Sequence, residues 1–251
     1  MELSAFYPKA SELIKSELDV LDHLRTDPYI KLNHSDFARH ANSYFDRNRR
    51  SLSSGFEFVS YFDVCHAAMH RTHGSNGKPG QPNPNTRLLL AVRIELEKQA
   101  FRNVTYCLTV CRIRSKRFSI LRKFHFDVTV AGERSSSRTQ QHPRCHLQYC
   151  GEMVPKMAEM GCSSAQLEQM SPWLSEPRIF FWPMSLALLI DMALREFPDD
   201  RSMKFRSSNE WRGLVRKQEK LVLRPFYQKC VEVILDTKGN NRTLADEFYV
   251  A

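Results

Sequence analysis

FSILRKFHFDVTVAGERSSSRTQQHPRCHLQYC, residues 118–150, is the stretch on which the fold of this 251-residue chain depends. From Phe124 to Val130 apolar and polar residues alternate, which is the period-two pattern of a half-buried strand. The apolar side chains are expected to face a core. The other face is expected to stay open and to carry His125, Asp127 and Thr129.

A group of metal-capable side chains lies in the same stretch. A polar loop separates the strand from His142-Pro143-Arg144-Cys145-His146, so four residues are expected to converge: His125, Asp127, His142 and His146. Such a nitrogen and oxygen set suits a divalent ion at phosphodiester chemistry, where the ion activates water. In the alternative interpretation Asp127 pairs with a neighbouring arginine and His142 shapes a turn with Pro143.

Further alternating segments surround this stretch and predict a largely antiparallel sheet. Apolar side chains occupy alternate positions in residues 55–64, 88–96 and 104–110. The distances between these segments along the chain suit strands joined as hairpins. Helical apolar spacing occurs before and after them. The fold is therefore predicted to be α+β, with a central antiparallel sheet, N-terminal helices, and C-terminal helices packed on one face.

One domain is predicted to span residues 1–251, because the length and the apolar share of 42% suit a single large core. Its N-terminal helices are expected at about 8–50, its sheet at about 55–150 and its C-terminal helices at about 163–236. A short helix is expected to start at Ser163 or Ser164. Pro183 is expected in the first turn of a helix reaching Phe197, and Pro225 is expected to kink or divide the last helix.

The net charge of +9 is concentrated in two segments. Residues 112–144 hold nine basic and two acidic groups, and residues 201–224 hold eight basic and two acidic groups. This separation favours a polyanionic partner, most simply nucleic acid. Five groups around the turn at residues 115–117 are predicted to form a basic finger: Arg112, Arg114, Lys116, Arg117 and Arg122. The whole segment is predicted to be the main contact surface, through these five and Lys123, Arg134, Arg138 and Arg144.

Cysteine usage and hydropathy indicate a reducing, cytoplasmic location. The seven cysteines contain no CxxC pair, which argues against a disulfide framework. The N-terminus has no apolar core typical of a signal peptide. The longest apolar run, residues 179–194, is shorter than a membrane span of ~20 residues and contains Pro183 and Asp191, so it predicts a buried helix and no membrane contact.

A second histidine group precedes a long polar loop. His66, His70 and His73 would share one helical face, where imidazoles can bind zinc or copper, but the glutamate of an HExxH motif is missing. Gly, Pro and Asn residues at 74–85 then predict a hairpin connection or a mobile flap. Structural or solvated histidines are the favoured interpretation.

One pattern is similar to a known group of proteins. Phe-x-Phe-Asp at 124–127, His-Pro-x-x-His-Leu at 142–147 and Pro-Arg-Ile at 177–179 before an apolar helix resemble short uncharacterised bacterial proteins. The resemblance covers about residues 124–197 and implies a role in toxin-antitoxin or anti-phage loci.

The predicted function is that of a cytoplasmic bacterial accessory protein of a defence or toxin-antitoxin system. It would bind nucleic acid, or a nucleic-acid-bound partner encoded in the same operon. One alternative is a metal-dependent nuclease that uses the His/Asp cluster and a divalent metal as its cofactor. Another is a structural subunit that binds an acidic protein. A nucleophilic Cys145 or Cys150 is disfavoured, because adjacency to a histidine in sequence does not establish a catalytic pair.

Overall fold

The computed structural model describes residues 7–25, 57–64, 86–97, 100–114, 117–129, 142–149, 162–163, 178–196, 200–236, 243 and 249–250. Its strands are β1 (Glu57–Val64), β2 (Thr86–Glu97), β3 (Ala100–Arg114), β4 (Arg117–Thr129), β5 (His142–Pro143), β6 (Cys145–Tyr149), β7 (Cys162–Ser163), β8 (Arg178–Phe180) and β9 (Tyr249–Val250). Its helices are α1 (Ala10–Arg25), α2 (Leu186–Glu196), α3 (Asp200–Ser207), α4 (Asn209–Gln218), a π-helix (Glu219–Leu223) and α5 (Arg224–Ile234).

The main sheet has the strand order β1-β2-β3-β4-β6-β8, and its neighbouring strands are antiparallel. The short strand β7 pairs with the start of β4 in parallel, and β5 pairs with β9 in a separate two-stranded sheet. Helices precede and follow the main sheet along the chain. The predicted α+β fold with a central antiparallel sheet is therefore confirmed.

The helices pack on one face of the sheet, where they form the apolar core. Leu90, Val104 and Tyr106 on the strands share this core with Leu13 of α1 and Leu189 of α2. Alternate side chains of a strand point to the same side of a sheet. The alternating apolar side chains of β2 and β3 therefore all face the helices. The part of the expected N-terminal helical region that follows Arg25 lies outside the described residues.

A buried carboxylate links three elements within this core. Glu17 of α1 accepts a hydrogen bond from the Tyr106 hydroxyl of β3 at 2.6 Å and from the Leu186 backbone N–H at 3.1 Å. Leu186 is the first residue of α2, so Glu17 occupies a helix N-terminus, where backbone N–H groups lack intrahelical partners. Burial raises the pKa of Glu17 from 4.5 to about 7, although both hydrogen bonds lower it.

In the described part of the chain, other strands flank the β3–β4 hairpin along most of its length. The hairpin pairs as far as Arg114 and Arg117, but β2 follows β3 to Arg112, and β7 pairs with β4 at Phe118 and Ser119. Only the two residues of β3 beyond Arg112 extend past its pairing with β2. The tip of the expected finger, residues 115–116, lies outside the described residues, so the finger stays a prediction.

One predicted helix start differs from the structure, and the hydrogen-bond pattern of the last helical region changes just before Pro225. Ser163 lies in strand β7, and Ser164, the other residue at which a helix was expected to start, lies outside the described residues. Pro183 precedes α2 without being helical, since α2 begins at Leu186. The last helical region is divided before Pro225 by the π-helix, in which the Arg224 N–H bonds to the Glu219 carbonyl. Pro225 has no N–H to continue the α-helical pattern from the preceding turn.

Candidate functional site

The predicted His/Asp cluster is built by register between three strands. Thr105 of β3 pairs with Asp127 of β4, and Asp127 pairs with His146 of β6, so the three side chains lie in one row across the sheet. Thr105 Oγ1 donates to Asp127 Oδ1 at 2.5 Å, and His146 Nε2 lies 3.4 Å from Asp127 Oδ2. The pairing of β4 with β6 thus brings Asp127 and His146 together.

The environment of Asp127 favours its ionised form. Burial raises the pKa of this carboxyl group, but the hydrogen bond from His146, the electrostatic interactions with His125 and His146 and the hydrogen bond from Thr105 outweigh that effect and lower the pKa below its ordinary value. Asp127 is therefore a buried carboxylate that is already held by two neighbours.

His125 lies in the next row of the same face, where it pairs in register with Cys107 and Gln148. Its Nε2 atom is buried and has no hydrogen-bond partner in the described part of the chain. Burial lowers the pKa of His125 from 6.5 to about 4; the Asp127 carboxylate raises it, while Lys123 and His146 lower it further. The imidazole is therefore neutral at pH 7.

This second face of the sheet is buried, which corrects the expectation of an open polar face. His125 is 6% exposed and Asp127 is 9% exposed. Other buried residues share the face: Leu89, Ala91, Thr105, Cys107, Thr109, Lys123 and His146. Alternation identifies the side chains that share a face, but it cannot tell whether that face is covered, so the sequence pattern alone did not reveal this burial.

The proposed metal set is only partly placed. The backbone of His142 pairs with Val250 in the small two-stranded sheet, and its side chain lies outside the described residues. Among the residues that the structure describes, no group of three His, Cys, Asp or Glu side chains is arranged to hold a metal ion. His66, His70 and His73 also lie outside the described residues, so both metal interpretations stay predictions.

Cysteine chemistry gains no support at this face. Cys145 is buried on the opposite, helix-covered side, and burial raises the pKa of its thiol far above the ordinary value, although the charge of Arg144 lowers it. A thiol of this kind is a poor nucleophile. Cys150 lies outside the described residues.

The nine basic residues expected as one contact surface are distributed between surface and interior. Arg122 is exposed, whereas Lys123 is 2% exposed and Arg144 is 6% exposed, so the expectation that these last two face a polyanion was wrong. The side chains of the other six lie outside the described residues: Arg112, Arg114, Lys116, Arg117, Arg134 and Arg138.

The second basic segment presents a continuous exposed surface. Four residues spaced four apart along α4, the π-helix and α5 are exposed, and we call them the basic row: Arg212, Arg216, Lys220 and Arg224. None of them forms an ion pair within the described part of the chain. Sequence reasoning found the charge excess of this segment but missed the row, although the four-residue spacing is visible in the sequence.

The π-helix keeps the basic row in line. A spacing of four residues exceeds the 3.6 residues of an α-helical turn, so such a row drifts around an α-helix. A π-helical turn holds more than four residues and reverses the drift. The buried side shows the same effect, since Gln218, Val222 and Phe226 are also four apart and all three are buried.

Asp191 of α2 fixes the helix that carries the first half of the row. Its Oδ1 accepts from Trp211 Nε1 of α4 at 3.1 Å and from Arg206 Nε of α3 at 2.9 Å, and its Oδ2 accepts from Arg195 Nε at 2.7 Å. Ser208 caps α4 by accepting from the Trp211 backbone N–H. These bonds dock α4 with Trp211 inside and the basic row outside.

In comparisons with known proteins, no family model, no curated protein and no solved structure matches the chain. The resemblance over residues 124–197 therefore stays a prediction. No described helix has the length and apolar character needed to cross a membrane.

Proposed function

We propose that this protein binds nucleic acid through the basic row. The observation that carries the proposal is the alignment of Arg212, Arg216, Lys220 and Arg224 on one exposed helical line. Between residues 201 and 224 only Glu210 and Glu219 are acidic, so the positive potential along this line is only weakly offset. Unpaired surface cations attract phosphates and release the counterions condensed on them.

The dimensions of the row suit a nucleic-acid backbone. A step of four residues rises ~6 Å along a helix, so the row extends over roughly 18 Å. One strand of a duplex advances ~3.4 Å along its axis per nucleotide, so the row spans on the order of five nucleotides. Each cation can therefore meet a separate phosphate.

Binding is favoured over cleavage by the burial of the alternative site. His125 and Asp127 are at most 9% exposed, and a phosphodiester must reach such groups before they can act on it. The metal-dependent nuclease and the structural subunit for an acidic partner stay predictions. The accessory role in a defence or toxin-antitoxin system is part of the proposal only through the sequence resemblance.

The test is a charge reversal of the row, Arg212→Glu, Arg216→Glu and Lys220→Glu combined, measured by fluorescence anisotropy with labelled oligonucleotides. We expect at least a tenfold loss of affinity. The slope of log affinity against log salt should fall by about 2 to 3, since each lost phosphate contact removes ~0.7–0.9 from it.

A matched control has the same change of net charge on another exposed helix. Lys9, Lys15 and Arg25 are exposed on or beside α1, and their joint reversal to Glu should change affinity by less than about threefold, which is the effect of net charge alone. Equal losses of affinity in both folded triple variants would show that the basic row is not the binding site. Absence of binding by the unmodified protein at low salt would refute the proposal.

A further inference from the structure

The nucleic-acid proposal leaves open which form of nucleic acid the helix receives. Resting on that proposal, we infer that the ligand is a single strand, whose bases stack on Tyr227 where the basic row ends. The inference concerns the part of the exposed line that follows Arg224.

Beyond Arg224 the same line of the helix becomes apolar while remaining exposed. Tyr227 is 50% exposed, Val231 is 51% exposed and Ile234 is 66% exposed. They follow Arg224 at intervals of three or four residues, which keeps them on one side of α5. A row of cations thus continues directly into an aromatic ring and two aliphatic side chains.

The Tyr227 ring is held by the core below it. Its neighbour Phe226 is buried and contacts the Tyr227 ring edge-on, at 5.4 Å between ring centroids. Phe226 in turn packs on Phe180 of β8, at 5.9 Å between ring centroids. A partly exposed ring on a rigid support loses little conformational entropy when a flat ligand stacks on it.

This succession suits a single strand better than a duplex. In a duplex the flat faces of the bases are stacked on one another, and the grooves present only base edges and phosphates. A single strand exposes base faces, which stack on aromatic rings while cations follow its backbone. The apolar residues that follow the basic row can therefore contact the bases of a single strand. Against a duplex they would face phosphates, which would lose water without gaining a polar partner.

The spacing allows both contacts within one short segment. Tyr227 lies three residues after Arg224, a rise of ~4.5 Å on the same side of the helix. A phosphate bound by Arg224 and a base stacked on Tyr227 therefore belong to the same nucleotide or to adjacent ones. The remaining cations would follow the strand away from the ring.

The experiment compares a labelled 12-nucleotide DNA of mixed sequence with its duplex, using Tyr227→Ala, Tyr227→Phe and Tyr227→Leu in the full chain. The unmodified protein should bind the single strand at least tenfold more tightly than the duplex. Tyr227→Ala should weaken single-strand binding by on the order of tenfold, because one stacked base is lost. Tyr227→Phe should retain the affinity, and Tyr227→Leu should lose it, since leucine is apolar but has no ring.

The outcomes separate this inference from the nucleic-acid proposal. If the basic-row variant loses affinity but Tyr227→Ala does not, or if the duplex binds equally well, nucleic-acid binding stands and the single-strand inference is wrong. If Tyr227→Leu keeps full affinity, the site is merely apolar and stacking is refuted. If Tyr227→Ala instead changes the oligomeric state in size-exclusion chromatography and leaves oligonucleotide affinity intact, the apolar line is a protein interface and the inference is wrong.

Discussion

At the scale of single residues, Glu17 and His125 are ionisable groups buried on opposite faces of the sheet. Glu17 bonds to Tyr106 on the helix-covered face, and His125 pairs in register with Cys107 on the other face. Burial disfavours the charged form of both groups, so it raises the pKa of the acid and lowers the pKa of the base. Their effects on stability therefore have opposite signs as the pH changes.

The acid stabilises the fold at low pH. The pKa of Glu17 is about 7 in the folded protein and 4.5 as its ordinary value, so between these values the folded state holds the proton that the unfolded state releases. This contribution to the free energy of unfolding is full below 4.5 and is lost as the pH rises through 7. The base behaves in the opposite way, because the folded pKa of His125 is about 4 against 6.5, so its contribution is full above 6.5 and is lost as the pH falls through 4.

We predict that the two contributions largely cancel between pH 4.5 and 6.5 and that single substitutions reveal each one. Glu17→Gln should remove the stabilisation at low pH, so its free energy of unfolding relative to the unmodified protein should fall by about 3 kcal/mol on going from pH 7 to pH 4.5. His125→Leu should do the reverse and gain a similar amount relative to the unmodified protein over the same range. Urea unfolding at several pH values measures both differences. Asp127, Lys123 and His146 interact with His125, so the comparison requires that the His125→Leu variant keep the fold of the unmodified protein.

The double variant is the control for this interpretation. Glu17→Gln with His125→Leu should show nearly the same pH dependence as the unmodified protein, since two opposing contributions have been removed. If both single variants instead shift in the same direction with falling pH, one of the two groups is not buried in its neutral form.

At the scale of secondary-structure elements, the docking of α3 and α4 depends on Asp191. Three donors from α2, α3 and α4 converge on this one carboxylate, and the Trp211 indole is fully buried. Burial raises the pKa of Asp191, but hydrogen bonds from Arg206, Arg195 and Trp211 outweigh it and lower the pKa. The basic row is held in place by the same contacts.

Asp191→Ala is therefore predicted to lower the free energy of unfolding by about 2–4 kcal/mol, because it leaves the buried indole N–H and two guanidinium groups without their acceptor. Chemical denaturation at pH 7 measures the loss. Asp19→Ala is the matched control, since Asp19 forms an exposed ion pair with Lys217 of α4, and such pairs contribute less than about 1 kcal/mol. Similar small losses in both variants would mean that Asp191 does not organise these helices.

At the scale of the whole molecule, the chain carries two separated basic segments, one at the β3–β4 hairpin and one along α4 to α5. Lys123 and Arg144 are buried, so the first segment has fewer cations available for contact with a polyanion than its charge count indicates. The second segment keeps its cations exposed and aligned. The helical surface is therefore the stronger candidate for the phosphate contacts.

Two triple reversals of equal charge change compare these surfaces. Arg114, Lys116 and Arg117 reversed to Glu should weaken oligonucleotide binding less than about threefold, whereas the reversal of Arg212, Arg216 and Lys220 should weaken it at least tenfold. Anisotropy titrations at one salt concentration are sufficient. A larger loss of affinity in the hairpin variant would show that the main contact surface lies in residues 112–144, as the charge count alone indicates.

The sequence by itself determined the long strands β1 to β4, the fold class and the irregularity near Pro225, because alternation and proline chemistry are local properties of the chain. It also grouped Asp127 and His146 in one candidate cluster, but it could not fix their register, because the chain between them can be of any conformation that the spacing allows. The charge excess at residues 201–224 was equally visible in the sequence.

Only the tertiary structure decided which polar side chains are inside. His125, Asp127, Lys123 and Arg144 occupy positions that a strand pattern assigns to an outer face or a loop, yet all four are buried. Burial depends on what covers a face, and that is a property of contacts between distant segments. The alignment of the basic row with Tyr227 likewise depends on the π-helix, whose wider turn compensates the drift of a four-residue spacing.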